Sequence, residues 1–292
     1  MWIITALVFS HMSLFENQLC SFGDGPASDA AVSKLRAFKA DVEWVTTRGF
    51  LAGNSIPLPK DDYHYTVTID EAWTGGNEGL ALLNDVVRLK SLRIEDNRDI
   101  TDDGLARIGK LAELEQFFLR RIHISKQGLT VLSRMPRLKR LVLQGLQVTD
   151  DDLTSLAQLT TVEALDLVSM KDVGDKTIKI LEPLPRLKAL TLARVGISDA
   201  GLQHLNPRVE SLNLFETQIT DAGIAWLQPL SKLSYLGLIR TRITDQGLPA
   251  LARLPALETV NFGGTAVTTE GIESLKKVRG PKRSISIEGE PK

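Results

Sequence analysis

Four carboxylates fall at matching places early in the chain: Asp70 and Glu71 follow one apolar stretch, Glu95 and Asp96 the next. Acidic side chains brought together from neighbouring segments are hard oxygen donors, the ligand type that calcium takes. The segment after these carries Arg120 and Arg121 at the same places. If the segments are adjacent strands, about 4.8 Å apart, ion pairs Glu95–Arg120 and Asp96–Arg121 are the simpler reading. Cation binding by Asp70, Glu71, Glu95 and Asp96 stays the alternative. Arg194, Glu216 and Arg240 form a second row of alternating sign, and surface pairs of this kind add little net stability.

Other reactive groups do not converge. His11, His64, His123 and His204 are spread over unrelated contexts, and the glycine clusters at Phe22 (FGDG) and Gly75 (GGNEG) lack the Lys-Ser/Thr of a phosphate-binding loop. The run Asp150, Asp151, Asp152 reads as a helix start, where acids are favoured. A single cysteine, Cys20, leaves no intrachain disulfide and no Cys-based zinc site. The expectation is a chain with no catalytic residues, no metal and no cofactor.

The elements that position these residues announce themselves by repetition. LKSLRI begins at Leu89, and its counterparts LEQFFL, LKRLVL, VEALDL, LKALTL, VESLNL, LSYLGL and LETVNF begin at Leu114, Leu138, Val162, Leu187, Val209, Leu233 and Leu257. The period is about 24 residues. Most copies lead into a second phrase: DITDDGL, VTDDDL, ISDAGL, ITDAGI, ITDQGL, VTTEGI. So short a unit cannot bury its own apolar face and must stack on its neighbours.

Within one unit, Leu236 and Leu238 alternate with Tyr235, Gly237 and Ile239, a period of two that marks a strand with one buried face. Thr244 then stands where a helix N-cap belongs and Asp245 adds a favourable charge in the first turn. Leu248 and Leu251 face inward from the helix. The corresponding caps are Thr101, Ser125, Thr149, Ser198, Thr220 and Thr268. Upstream, Val67 and Ile69 with Leu80 and Leu83 make a further unit.

The phrases L-x-x-L-x-L and I-T-D-x-G-L resemble leucine-rich repeats, most closely the group in which Thr-Asp opens a convex-side helix, as in F-box-associated repeats and many environmental bacterial proteins. The resemblance covers about three-quarters of the chain. It implies an α/β fold: a right-handed leucine-rich-repeat solenoid, or horseshoe, with a parallel sheet on the concave face and helices on the convex face. The family's Asn or Cys after the strand is kept at Asn97. The later repeats carry Ile122, Leu146, Met170 and Val195, then Thr217, Thr241 and Thr265. We divide the chain into an N-terminal extension (1–27) with weak signal-sequence character, an N-terminal cap of helix plus strand (28–61), and the repeats with a C-terminal cap (62–292). The extension is apolar but lacks a basic start and an A-x-A-like cleavage site, so export to the cell envelope and a cytoplasmic location both stay open.

Once each leucine points inward, the residues between them map the concave sheet. Val168, Ala193, Phe215 and Ile239 follow one another across four strands, Phe118 and Val142 form a pair one row over, and Tyr235 lies toward the C-terminal end. These are expected to be an exposed apolar strip, rimmed by Arg120, Arg140, Arg194 and Arg240, the anatomy of a protein contact. The function this predicts is a non-catalytic, monomeric interaction module that holds a protein or peptide on its concave sheet. The alternatives are a substrate-receptor subunit of a larger, ubiquitin-ligase-like complex and a surface carbohydrate- or ligand-binding protein. A net charge of −1, with 24% charged residues of mixed sign, disfavours nucleic-acid binding, and no stretch is long enough to span a bilayer.

Overall fold

The structure, a computed structural model, describes residues 30–46, 63–281 and 285–289. The N-terminal extension, with its signal-sequence reading, and the loop at 49–60 lie outside the described residues. Eleven strands among these residues form one sheet in sequence order. They are β1 (Asp41–Thr46), β2 (Tyr63–Ile69), β3 (Leu89–Glu95), β4 (Gln116–Arg120), β5 (Arg140–Gln144), β6 (Ala164–Val168), β7 (Ala189–Ala193), β8 (Ser211–Asn213), β9 (Tyr235–Gly237), β10 (Thr259–Asn261) and β11 (Ser286–Glu288). From β2 onward every pairing is parallel, with one bulge between β2 and β3 at Tyr65/Thr66, and from β3 onward the register follows the repeat: Leu119, Leu143, Leu167 and Leu192 stand side by side. β1 is antiparallel to β2 and follows a short helix, α1 (Ala30–Ala37).

The inward positions are filled as the period requires. Leu92, Ile94, Leu141, Leu143, Leu165, Leu167, Leu236 and Leu238 are fully buried, and so are their convex partners Leu105, Ile108, Leu153, Leu156, Ile224 and Leu227. The convex segments differ from expectation in type. Several are 3-10 turns, among them Asp150–Gln158 and Gly201–His204; the longest α-helix, Thr269–Arg279, belongs to the last repeat. A repeat that must spend its residues on a strand, two turns and a return path leaves room for only a short convex segment. A 3-10 turn rises about 2.0 Å per residue and spans that distance with fewer residues.

After each strand the chain bends inward through a left-handed residue: Asp96, Arg121, Gly145, Ser169, Arg194, Glu216, Arg240 and Gly264 all have φ between 48° and 70°. Six of the eight carry a side chain, in a conformation that costs such residues about 1–2 kcal/mol. The bend keeps the ladder running, because the amide N–H of each of the first seven donates to the next repeat: Arg121 to Gln144 O at 2.9 Å, Ser169 to Ala193 O at 2.8 Å. The residue that follows is buried in every repeat. Asn97 bonds Asp70 O, and Thr217, Thr241 and Thr265 donate to carbonyls three residues back, whereas Ile122, Leu146, Met170 and Val195 fill the same place with hydrocarbon.

The Thr-Asp phrase acts within its repeat, where Thr244 Oγ1 accepts from Gln246 N and Thr268 Oγ1 from Gly271 N as caps, and it also joins one repeat to the next. The carboxylate of Asp221 accepts from both N and Oγ1 of Thr244, one repeat later, at 2.8 and 2.7 Å. Asp102 holds Ser125 in the same way, Asp175 holds Ser198, Asp199 holds Thr220 and Asp245 holds Thr268. The glycine of the phrase makes room for this carboxylate: a Cβ built on Gly247 would lie 2.6 Å from Asp221 Oδ1, and one on Gly223 or Gly271 would lie closer still to its aspartate. At the N-terminal end Asn77 takes the aspartate's part toward Thr101, and the buried Trp73 ring packs under Gly75 and Gly79. At the other end Thr269 replaces the aspartate.

Two junctions depart from the phrase and repair themselves. Lys126 stands where the aspartate should be, so Thr149 receives nothing from the preceding repeat. Its own repeat places Asp152 at the glycine position, and that carboxylate accepts from Thr149 N and Oγ1 at 2.9 and 2.7 Å. In the next repeat cap and glycine are exchanged: Gly174 takes the cap and Thr177 the glycine position. Asp150 still accepts from both, from Gly174 N at 2.9 Å and from Thr177 through its amide and hydroxyl.

Charge-assisted bonds of this kind are worth about 1.5–3 kcal/mol each, so Asp221→Ala should destabilise the chain by an amount in that range in urea unfolding. Lys126→Asp should also destabilise, because the new carboxylate meets Asp152. Combining Lys126→Asp with Asp152→Gly should recover most of the loss, a non-additivity of the kind that only coupled neighbours show. Additive losses in the double variant would refute the compensation.

Candidate functional site

Three rows of side chains stand on the face of the sheet opposite the inner leucines, set by strand register. The first runs Gln116, Arg140, Ala164, Ala189, Ser211, Tyr235. The second runs Arg93, Phe118, Val142, Asp166, Thr191, Asn213, and the third Glu95, Arg120, Gln144, Val168, Ala193. Phe215, Ile239 and Gly263 extend the third row beyond the shortened strands. Of the expected site residues, Phe118, Arg120, Arg140 and Val142 lie together on β4 and β5. Val168, Ala193, Arg194 and Phe215 follow on β6 through the exit of β8, and Tyr235, Ile239 and Arg240 on β9 and its exit.

The apolar strip is contiguous, but it is not the exposed strip that the pattern suggested. Phe215 is only 4% exposed, Ala193 1% and Val142 5%; Phe118, Val168, Tyr235 and Ile239 are half-buried. Val142, Ala193 and Phe215 nonetheless stand apart from the cluster formed by the inner leucines, which places them on the concave side. Neighbouring side chains cover them: the Arg194 guanidinium lies over the Phe215 ring, 5.1 Å from its centre. Long charged side chains commonly lay their stems over apolar surface in this way.

The rim charges pair among themselves. Arg120 Nε is 3.0 Å from Glu95 Oε2, and Arg121 Nη2 donates to Asp96 Oδ2 at 2.8 Å. The hydrogen bond from Arg121 holds the Asp96 carboxyl below the usual range, with Arg120 adding to it. Glu95 and Asp96 are therefore engaged by arginine, and no group of three or more possible metal ligands is found among the described residues. Glu216 sits between Arg194 and Arg240 and is ion-paired to both. Burial alone would raise its pKa, but the two arginine hydrogen bonds outweigh that and lower it. A further row of alternating sign enters the strands: Glu115 reaches Lys90 at 3.4 Å and Lys139 at 2.8 Å, and Glu163 reaches Lys188 at 3.6 Å.

Two residues of the face were not anticipated. Arg93 stacks on Phe118, its guanidinium carbon 4.1 Å from the ring centre, while Arg140 approaches the same ring at 5.7 Å. Asp166 lies in the second row at 4% exposure, 3.4 Å from Arg140 Nη2. Burial pushes its carboxyl up, against the opposing pull of Arg140 and the Thr191 hydroxyl. The signal in the sequence was one carboxylate between the leucines of VEALDL, in a row whose lateral neighbours are Val142 and Thr191. Burial likewise raises the Tyr235 hydroxyl, with Glu288 adding to it, to about 12.

A family model described as Leucine Rich repeat matches residues 89–109. Among solved structures, an internalin of Listeria monocytogenes, inlF, is similar over 73% of this chain with 21% identity and a TM-score of 0.54. Internalin C2 of the same organism is similar over 71% of this chain and 83% of its own, with 23% identity and a TM-score of 0.50. The chain spans 58% of the first of these structures. No curated protein matches. With the sheet and the repeats above, these likenesses show the fold: the chain is a leucine-rich-repeat solenoid. No helix among the described residues is long and apolar enough to cross a membrane.

The raised pKa of Asp166 predicts a pH effect of definite sign. A carboxyl that ionises less readily folded than unfolded costs stability at neutral pH, and the cost is relieved as pH falls through its folded pKa. Asp166→Asn should therefore raise stability at pH 7 and remove that gain on acidification, as read from unfolding midpoints between pH 7 and pH 4. A loss of stability at pH 7 would mean that the pair with Arg140 outweighs burial.

Proposed function

We propose that this chain is a non-catalytic interaction module that holds a protein or peptide segment on its concave sheet. The carrying observation is that Val142, Ala193 and Phe215 are buried on this face yet separate from the inner core. Half-buried Phe118, Val168, Tyr235 and Ile239 lie beside them. The scaffold is built by leucines on the other side of the same strands and does not require hydrocarbon here. Apolar side chains ringed by paired charges suit a contact in which a dry centre is surrounded by a polar rim. The paired rim also supports a protein partner over nucleic acid, because arginines already neutralised by Glu95, Asp96 and Glu216 have little to gain from phosphate.

The burial of Phe215 redirects the test toward side chains with accessible surface. Peptides selected from a phage-displayed library on the intact chain should lose at least about tenfold in affinity to Phe118→Ala and to Ile239→Asp, in line with truncation of a contact anchor. They should bind unchanged to Trp226→Ala, which alters an exposed tryptophan of the convex side. Peptides indifferent to both sheet substitutions, or dependent on Trp226, would overturn the reading.

A further inference from the structure

Independently of the concave sheet, we propose that the turns entering the strands bind a carboxylate-bearing polysaccharide along a row of cations. Each repeat reaches its strand through a tight turn, in which the amide of the first leucine or valine donates to the carbonyl three residues back. Leu138 bonds Met135 O at 3.2 Å in this way, and Val209 and Leu233 bond Asn206 O and Leu230 O, both at 3.1 Å. The residue just before that leucine or valine is Arg137, Thr161, Arg186, Arg208 and Lys232 in the turns before β5 to β9. Glu113 precedes the row and Ala256 follows it. The four cations are exposed, and no ion pair joins them to a carboxylate among the described residues.

Folding does not ask for this arrangement. Two residues on, Glu115, Lys139, Glu163 and Lys188 alternate in sign and pair with one another. The turn row carries one sign only. Strands lie about 4.8 Å apart, so Arg186, Arg208 and Lys232 are like charges on adjacent repeats, which opposes their stacking. The whole row spans four such steps, about 19 Å.

A row one residue wide, running across the strands, fits a linear polyanion, and guanidinium groups match carboxylates in bidentate fashion. The surrounding groups narrow the class. No aromatic residue stands in these turns or at the strand entries after them, so nucleic-acid bases have no ring to stack on. Each arginine follows an exposed proline, Pro136, Pro185 or Pro207, on a turn tip rather than in the kind of pocket that a peptide anchor fills. Glu163, Glu210 and Glu258 stand at strand entry beside the row, where a broad anionic surface such as a bilayer would meet them. A single chain along the turn tips would not. Thr160, Thr161 and Ser231 place hydroxyls among the cations, which suits a polymer of sugar hydroxyls and carboxylates.

The test uses the intact chain and labelled polygalacturonate, with neutral dextran, polyglutamate and a single-stranded DNA oligonucleotide as comparison probes. Binding is read by fluorescence anisotropy at two salt concentrations. Polygalacturonate should bind more tightly than the other three and weaken as salt rises. Arg186→Ser combined with Arg208→Ser should weaken it at least about tenfold without lowering the thermal unfolding midpoint. Lys171→Ser combined with Lys179→Ser removes the same charge from exposed positions outside the turn row and should leave binding unchanged. An equal loss in that second pair would reduce the effect to net charge and overturn the row. Tighter binding of polyglutamate or the oligonucleotide would overturn the choice of polymer, and polygalacturonate that fails to bind would sink the proposal.

Discussion

One aspartate carboxylate per junction does most to turn a string of repeats into a body. Placed at the start of a convex turn, it accepts the N–H and hydroxyl of the Thr or Ser that begins the next turn. The glycine of that next turn leaves the space in which the carboxylate sits. Thr, Asp and Gly are thus three parts of one contact, each contributed by a different side of a junction. In a solenoid, stability is close to a sum of repeat and nearest-neighbour terms, so a contact repeated at most junctions acts along much of the length. The exceptions differ: where Lys126 withholds the acceptor, Asp152 satisfies Thr149 inside its own repeat, and where Gly174 withholds the hydroxyl, Thr177 supplies it across the junction.

The sheet side is organised by a different economy. Inner leucines fill the core, and charges outside them cancel along rows, as Lys90, Glu115 and Lys139 do at strand entry and Arg194, Glu216 and Arg240 at strand exit. Exposed pairs of this kind add little stability. Their effect is to leave the rim nearly neutral and to cover apolar side chains, as Arg194 covers Phe215. The left-handed residue after each strand aids both: it turns the chain inward while its side chain stays in the rim row.

Much of this was legible in the sequence, because the period converts position into geometry. Leu92 or Leu238 can point only inward, and Glu95 and Arg120 can only be lateral neighbours. What the pattern could not give was anything decided between repeats. Read within one unit, Asp221 is a helix-start acid; its partner Thr244 is 23 residues on and becomes visible only when units are stacked. The exposure of Phe215 failed for a similar reason, since a row of outward positions says nothing of which neighbour folds over which. The short 3-10 turns reflect the length left to each repeat, which propensity does not encode.

The concave rows can be read by subtraction. Leucines, capping hydroxyls, aspartates and glycines are accounted for by the scaffold, and the rim charges by one another. Asp166 is accounted for by neither. It is a carboxylate held out of water on the outward side of its strand, with burial working against its ionisation and a loose contact to Arg140 and the Thr191 hydroxyl in return. A valine or threonine, which its lateral neighbours Val142 and Thr191 already are, would satisfy the sheet at less cost. Local departures from the cheapest solution tend to gather at functional positions, and this one lies beneath the arginine beside Phe118. The costliest side chain of the face therefore lies across one strand from the half-buried Phe118, with Val142 between them, which makes β4 to β6 the part of the sheet that folding alone does not explain.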